Sequence, residues 1–133
     1  MSRKKQKKRI VVNQIEQKIH DLLTTMNLPF KSNVPLDKFN VDFLVAEKYI
    51  VECYGDYWHC NPQKYGATYY NRVKRKTAAE IWERDEERKK RFEELGYTFV
   101  YLWEHDIRNN FKTVRAILKK YILRRMNNER INE

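Results

Sequence analysis

Cysteine is scarce: Cys53 and Cys60 are the only two in 133 residues. Two closely spaced thiols cannot build a disulfide framework, and without a C-x-x-C pair the usual zinc spacing is missing too. They read as two reduced thiols. His59 and His105 are further ligand types, but their spacing with the thiols fits no zinc pattern. No apolar run approaches the ~18 to 20 residues of a membrane-spanning helix. Nor does the amino terminus, MSRKKQKKR, carry an apolar segment behind its charges, so no secretory signal is expected. Internal repeats are absent as well. These absences point to an intracellular, cytoplasmic protein. With 41% apolar and 14% aromatic residues, the chain suits one globular domain around a single core.

What the chain does carry is positive charge, 28 Lys and Arg against 18 Asp and Glu, for a net +10. Six of the cations are Arg3, Lys4, Lys5, Lys7, Lys8 and Arg9, which leaves 22 against 18 in the remainder. A basic flexible arm over residues 1–9, ahead of a moderately basic domain, is the electrostatic footprint of a polyanion binder, most often of nucleic acid. The alternative is a solvated tail that only aids solubility.

From about Ile10 to Asn27, Val12, Ile15, Ile19, Leu22, Leu23 and Met26 recur at steps of three and four, which predicts an amphipathic helix stopped by Asn27 and Pro29. Asn33 to Leu36 reads as an edge strand, because Pro35 is tolerated only there. Val41–Val45 and Tyr49–Tyr54 read as a hairpin around the three-residue turn Ala46-Glu47-Lys48. That register pairs Asp42 with Glu52 on one sheet face, where two like charges call for a cation between them. Gly55 to Tyr70 is irregular and rich in aromatics. A second helix is expected from about Val73 to Leu95, capped by Gly96, with Ala78, Trp82, Phe92 and Leu95 inward. Tyr97 to Trp103 is apolar enough for a central strand. A last helix, about Ile107 to Met126, would bury Phe111, Val114, Ile117, Leu118, Tyr121 and Ile122, and residues 127–133 would fray. The order α-β-β-β-α-β-α implies a mixed sheet flanked by helices, an α/β domain over 10–126.

Five residues sit in the wrong places for solvent-facing decoration. Glu16 and Asp85 fall on apolar helix stripes, Asp42 and Glu52 share a sheet face, and His59 follows in the aromatic stretch VECYGDYWHCNP. Four have a structural alternative: Glu16 can pair with Lys18 or a nearby Arg, Asp85 lies in the salt-bridge-laced run ERDEERKKR, Glu52 can be a strand-end charge, and a single His is more often structural than catalytic. Together they form a constellation. Clustered carboxylates are hard ligands suited to Mg²⁺, and a His beside such a metal, oriented by an Asp, can take a proton from water; this is a recipe for phosphodiester hydrolysis.

The same residues carry a resemblance. "VDF" at 41–43, a short turn, an apolar strand ending in Glu52 and Gly55, and then Trp58-His59 resemble the very short patch repair (Vsr) endonuclease family. That family belongs to the EDxHD branch of the PD-(D/E)xK nucleases, which includes phage and intron homing endonucleases. Glu16 matches the helical Glu of the signature, Asp42 the metal-binding Asp, His59 the catalytic His and Asp85, in "ERD", the final Asp. "ELGYTFVYLWEHDI" resembles the strand and turn that follow, and the match spans roughly 14–107.

The resemblance implies a restriction-endonuclease-like core and a Mg²⁺-dependent (or Mn²⁺-dependent) DNA endonuclease acting on double-stranded DNA in a bacterial or phage-infected cell. Asp42 and the backbone carbonyl of Cys53 would hold the metal, with Glu52 as a further ligand, and His59, oriented by Asp85, would activate water. Tyr57 and Trp58 would touch unstacked bases, while the arm, Lys74, Arg75 and Lys76 would touch phosphates. The repair enzymes hold a structural zinc around this loop; the matching positions here are Asp56, Asn61 and Gln63, so no zinc is expected. Tyr54 stands where the superfamily usually has Lys. "YGDYWHCNP" looks closer to the phage and homing branch. A T·G mismatch-repair nickase and an inactive DNA-binding module of the same fold are the alternatives, whereas an HNH nuclease would need a second His and finger spacing that "WHCNP" lacks. A double-strand break would require a homodimer or a second encounter, and the DNA-reading domain would lie outside this chain.

Overall fold

A computed structural model describes residues 3–131, with side chains from 14 to 129. Helix α1 spans Arg3–Thr25, so it begins one basic segment earlier than expected. The backbone of 3–9 continues the helix, while the side chains expected to bind DNA there lie outside the described ones. Ile15, Ile19, Leu22 and Leu23 form its buried stripe. Each such aliphatic side chain contributes ~1.5 to 3 kcal/mol of burial.

Strands β1 (Phe30–Leu36), β2 (Phe39–Val45) and β3 (Tyr49–Tyr54) follow as an antiparallel meander. Pro35 lies on β1, which is a sheet edge, as its missing N–H requires. Val45 pairs with Tyr49 around the three-residue turn. Two short strands, β4 (Tyr70–Asn71) and β5 (Lys76–Thr77), then form a separate two-stranded ribbon. This ribbon delays the second helix: α2 covers Ala78–Glu94 rather than starting near Val73, and Thr77 closes a capping box with Glu80. The helix ends in a Schellman arrangement, with Gly96 at φ +97° and the Tyr97 amide donating to the Phe92 carbonyl. Leu95 is exposed at that cap, and Ile81 takes the buried place instead.

Strand β6 (Thr98–Trp103) pairs parallel to β3, giving the order β1-β2-β3-β6. It is therefore an edge strand, not a central one. Its apolar character comes from burial on both faces: Val100 and Leu102 join the core beneath α1, while Phe99 and Trp103 pack with Phe92 of α2. The final helix is broken into α3 (Glu104–Asn109), α4 (Phe111–Leu118), a π-turn at Lys119–Leu123 and α5 (Arg124–Ile131). Asn110, at φ −145° and ψ 54°, leaves the helical region and forces the first break. Val114, Leu118 and Ile122 are fully buried, whereas Tyr121, expected inward, is exposed. The result is a mixed four-stranded sheet with α1, α3 and α4 on one face and α2 on the other, a restriction-endonuclease-like α/β arrangement. No described helix is long and apolar enough to cross a membrane.

Candidate active site

The hairpin register brings Asp42 and Glu52 together. Their contact is more intimate than side-by-side pairing: the Asp42 amide donates to Glu52 Oε2 at 3.1 Å, and the Cys53 amide donates to Asp42 Oδ2 at 2.8 Å. Asn33, at φ 52°, interrupts the β1 ladder opposite Asp42, between the Ser32–Phe43 and Val34–Val41 pairs. Glu16 reaches the same point from α1. Burial first, then the Asp42 charge and a hydrogen bond to it, push the Glu16 carboxyl up to about 7. Glu52, buried at 6% exposure, is pushed up to about 8 by the same causes in the same order, against the pull of Arg88. Burial and the three acids also raise the Cys53 thiol well above its usual range. Three carboxyls thus share one small, poorly solvated space.

The cation called for between the strands is Arg88 on α2. Its guanidinium pairs with Glu52 Oε1 and donates to the Asn40 carbonyl at 2.8 Å, flanked by the rings of Phe39 and Phe92. The sequence reading missed it because the run ERDEERKKR looks solvated. The available signal was spacing: Arg88 follows Asp85 by three positions and precedes the buried Phe92 by four, so it belongs to the inward stripe.

One turn earlier on α2, Asp85 Oδ2 lies 2.8 Å from His59 Nδ1, with side chains 20% and 24% exposed. A carboxylate only accepts, so Nδ1 carries the proton and Nε2 is left as the basic nitrogen. The imidazole lies flat on Tyr54, with centroids 3.9 Å apart and planes 6° apart. Tyr54 therefore acts on the imidazole by packing; burial raises its hydroxyl far above the ordinary value.

His59 rides on a loop held by Asp56, which is buried at 5% exposure. Its carboxylate accepts from Asn61 Nδ2 and Lys64 Nζ, both at 2.9 Å, and from the His105 amide at 3.3 Å; its own amide donates to Glu104 Oε1 at 3.0 Å. Burial opposes ionisation, but the bonds from Asn61, Lys64 and the His105 amide win and hold the carboxyl below its usual value. Asn61 Oδ1 in turn accepts from the Gln63 amide. Asp56 and Asn61, with the Gln63 amide, thus form a hydrogen-bonded clamp that ties the loop to α3.

On the other side of Asp85, a cavity of about 230 Å³ is lined by Lys74, Lys76 and Arg84. Desolvation lowers the Lys74 ammonium, which lies 5.8 Å above the Trp58 ring. Arg75 is exposed and does not line this cavity, whereas Arg84, unforeseen from sequence, does. Tyr57 and Trp58 are half-buried, edge to face at 6.2 Å. Among the described residues no set of three or more His, Cys, Asp or Glu side chains forms a ready-made metal cage. Mg²⁺ does not need one, since it binds through one or two carboxylates and keeps several waters.

No family model and no curated protein matches the chain. Among solved structures, the chain is similar to the catalytic domain of the homing endonuclease I-Bth0305I, with a TM-score of 0.60 at 17% identity over 82% of this chain and 93% of that one. The fold of this chain is therefore that of a nuclease catalytic domain.

Proposed function

We propose that the chain is a metal-dependent DNA endonuclease of the homing or phage-encoded kind, hydrolysing phosphodiester bonds at the Asp42–His59–Asp85 site. The observation that carries this reading is the His59–Asp85 pair, 2.8 Å apart, whose imidazole lies on Tyr54, the residue that feels the charges of both Asp85 and Glu52; Glu52 in turn belongs to a cluster of carboxyls that burial and mutual repulsion make costly to ionise. A divalent cation relieves that repulsion, which is the fit between these residues and Mg²⁺ or Mn²⁺. Asp42 and the backbone carbonyl of Cys53 would hold it, and Glu16 would exchange its proton for the cation's charge. Glu52 has one oxygen on Arg88 and the other on the Asp42 amide, so it joins the ligands only by giving up one of these. When bound, the metal supplies Lewis-acid stabilisation of charge developing on the phosphate.

His59 Nε2 takes a proton from the attacking water. Asp85 keeps Nδ1 protonated and stabilises the imidazolium that results. Tyr54 prevents the ring from rotating away, and the Asp56 clamp keeps the loop in place. Lys74, Lys76 and Arg84 form a seat for a neighbouring phosphate, joined by Arg75 and the 3–9 segment for salt-sensitive affinity without sequence reading. Tyr57 and Trp58 would contact unstacked bases. The test is incubation of matched and T·G-mismatched duplexes with Mg²⁺ or EDTA. Metal-dependent strand scission of matched DNA is expected; scission confined to the mismatch would transfer the chain to repair, and binding without scission would make it an inactive module.

A further inference from the structure

A separate cavity of about 210 Å³ opens on the β6 side of Asp85, lined by Tyr54, Trp82, Tyr101, Trp103, Asp85 and Lys89. Its wall is a column of rings. His59 lies on Tyr54, and Tyr54 lies on Tyr101 at 4.9 Å with planes 14° apart. The column ends at Tyr101, which is 41% exposed, with Trp103 set edge-on at 6.0 Å and 83°. Tyr101 thus presents a large, partly exposed ring at the end of a stack and on the cavity wall, a surface on which another flat ring can lie with favourable stacking geometry. The space is below that of drug-sized pockets and suits one planar heterocycle.

The polar lining narrows the occupant. Carboxylates of Asp85 and of Glu86 at the rim accept hydrogen bonds, as from an exocyclic amino group, and the Lys89 ammonium suits an attached phosphate. We propose that this cavity takes one unpaired, amino-bearing nucleobase of a DNA strand, stacked on Tyr101 beside the catalytic pair. The proposal rests on the nucleic-acid part of the function given above. It adds a site on β6, away from Tyr57 and Trp58, and implies that the strand near the scissile bond is unstacked before it is cut.

The test is binding of the whole chain, in EDTA so that cleavage does not intervene, to short fluorescent single strands of dC or dA and to abasic strands of the same length and charge. Base-bearing strands should bind about tenfold more tightly than abasic ones, on the order expected for one stacked base. Tyr101→Ala and the volume-keeping Tyr101→Leu should cut that ratio severalfold, leaving only what Tyr57 and Trp58 contribute, while Tyr101→Trp retains it and the salt dependence stays the same. Equal affinity for base-bearing and abasic strands, or a base preference untouched in Tyr101→Leu, would overturn the pocket. Plasmid cleavage by the unmodified chain is scored separately. An inert chain that still prefers bases would remove the nuclease reading alone, and an active one without the preference would remove the pocket alone.

Discussion

Asp42→Asn should make the metal-free protein more stable at high pH while disabling it. Asp42 supplies the charge that both neighbouring acids feel, after their burial, and it helps lift Glu16 to about 7 and Glu52 to about 8 from an ordinary 4.5. Between about pH 4.5 and 8 the folded metal-free chain therefore holds protons that the unfolded chain releases, and its stability falls as pH rises through that window. Asparagine removes the charge and keeps an oxygen for the Cys53 amide, which donates to Asp42 at 2.8 Å. Two unit charges ~4 Å apart repel by ~4 kcal/mol at an effective dielectric of ~20. Glu16 is half-exposed and its share is largely screened, so a net gain of about 1 to 3 kcal/mol is expected at pH 8.5. At pH 5 both glutamates carry protons and hydrogen-bond to Asp42; there the substitution should cost about 1 kcal/mol. Thermal unfolding in EDTA reads this at roughly 3 to 5 °C per kcal/mol for a domain of this size. Added Mg²⁺ should stabilise the unmodified protein and not the variant. An equal shift in Tm at both pH values, or equal stabilisation of both proteins by Mg²⁺, would refute the reasoning.

Other substitutions separate chemistry from architecture. His59→Ala should lower the cleavage rate by about 10² to 10⁴ with little change in Tm, which single-turnover assays and calorimetry would show. Arg88→Met leaves Glu52 buried without its partner and should cost about 3 kcal/mol in urea unfolding at pH 8.5, less at pH 6 where Glu52 takes up a proton; adding Glu52→Gln should restore most of it. Asp56→Ala strands Asn61 and Lys64 and should cost about 2 to 3 kcal/mol, with loss of cleavage through the displaced His59 loop.

Much of this arrangement was legible in the sequence where one pattern acts alone. The α1 stripe, the turn at Ala46-Glu47-Lys48 and the meeting of Asp42 with Glu52 follow from periodicities of 3.6 and 2. So does Asp85 on the inner side of α2, although its pairing with His59 came from the family resemblance. What stayed hidden depended on competition between patterns. Thr77-x-x-Glu80 is a capping box that starts the second helix at Ala78, after the basic stretch Lys74-Arg75-Lys76 that the expected start near Val73 would include. The apolar β6 reads as central because two-face burial and central position leave the same composition. Arg88 is masked by its charged neighbours, and the Asp56 clamp joins residues almost fifty positions apart, beyond any local signal.

The most direct measurement is conversion of supercoiled plasmid to nicked or linear form by the unmodified chain and by Asp42→Ala, each with Mg²⁺ and with EDTA. Conversion only by the unmodified chain, and only with the metal, is the predicted result. Equal conversion by folded Asp42→Ala, or conversion that persists in EDTA, would contradict the assignment of this site to metal-dependent hydrolysis.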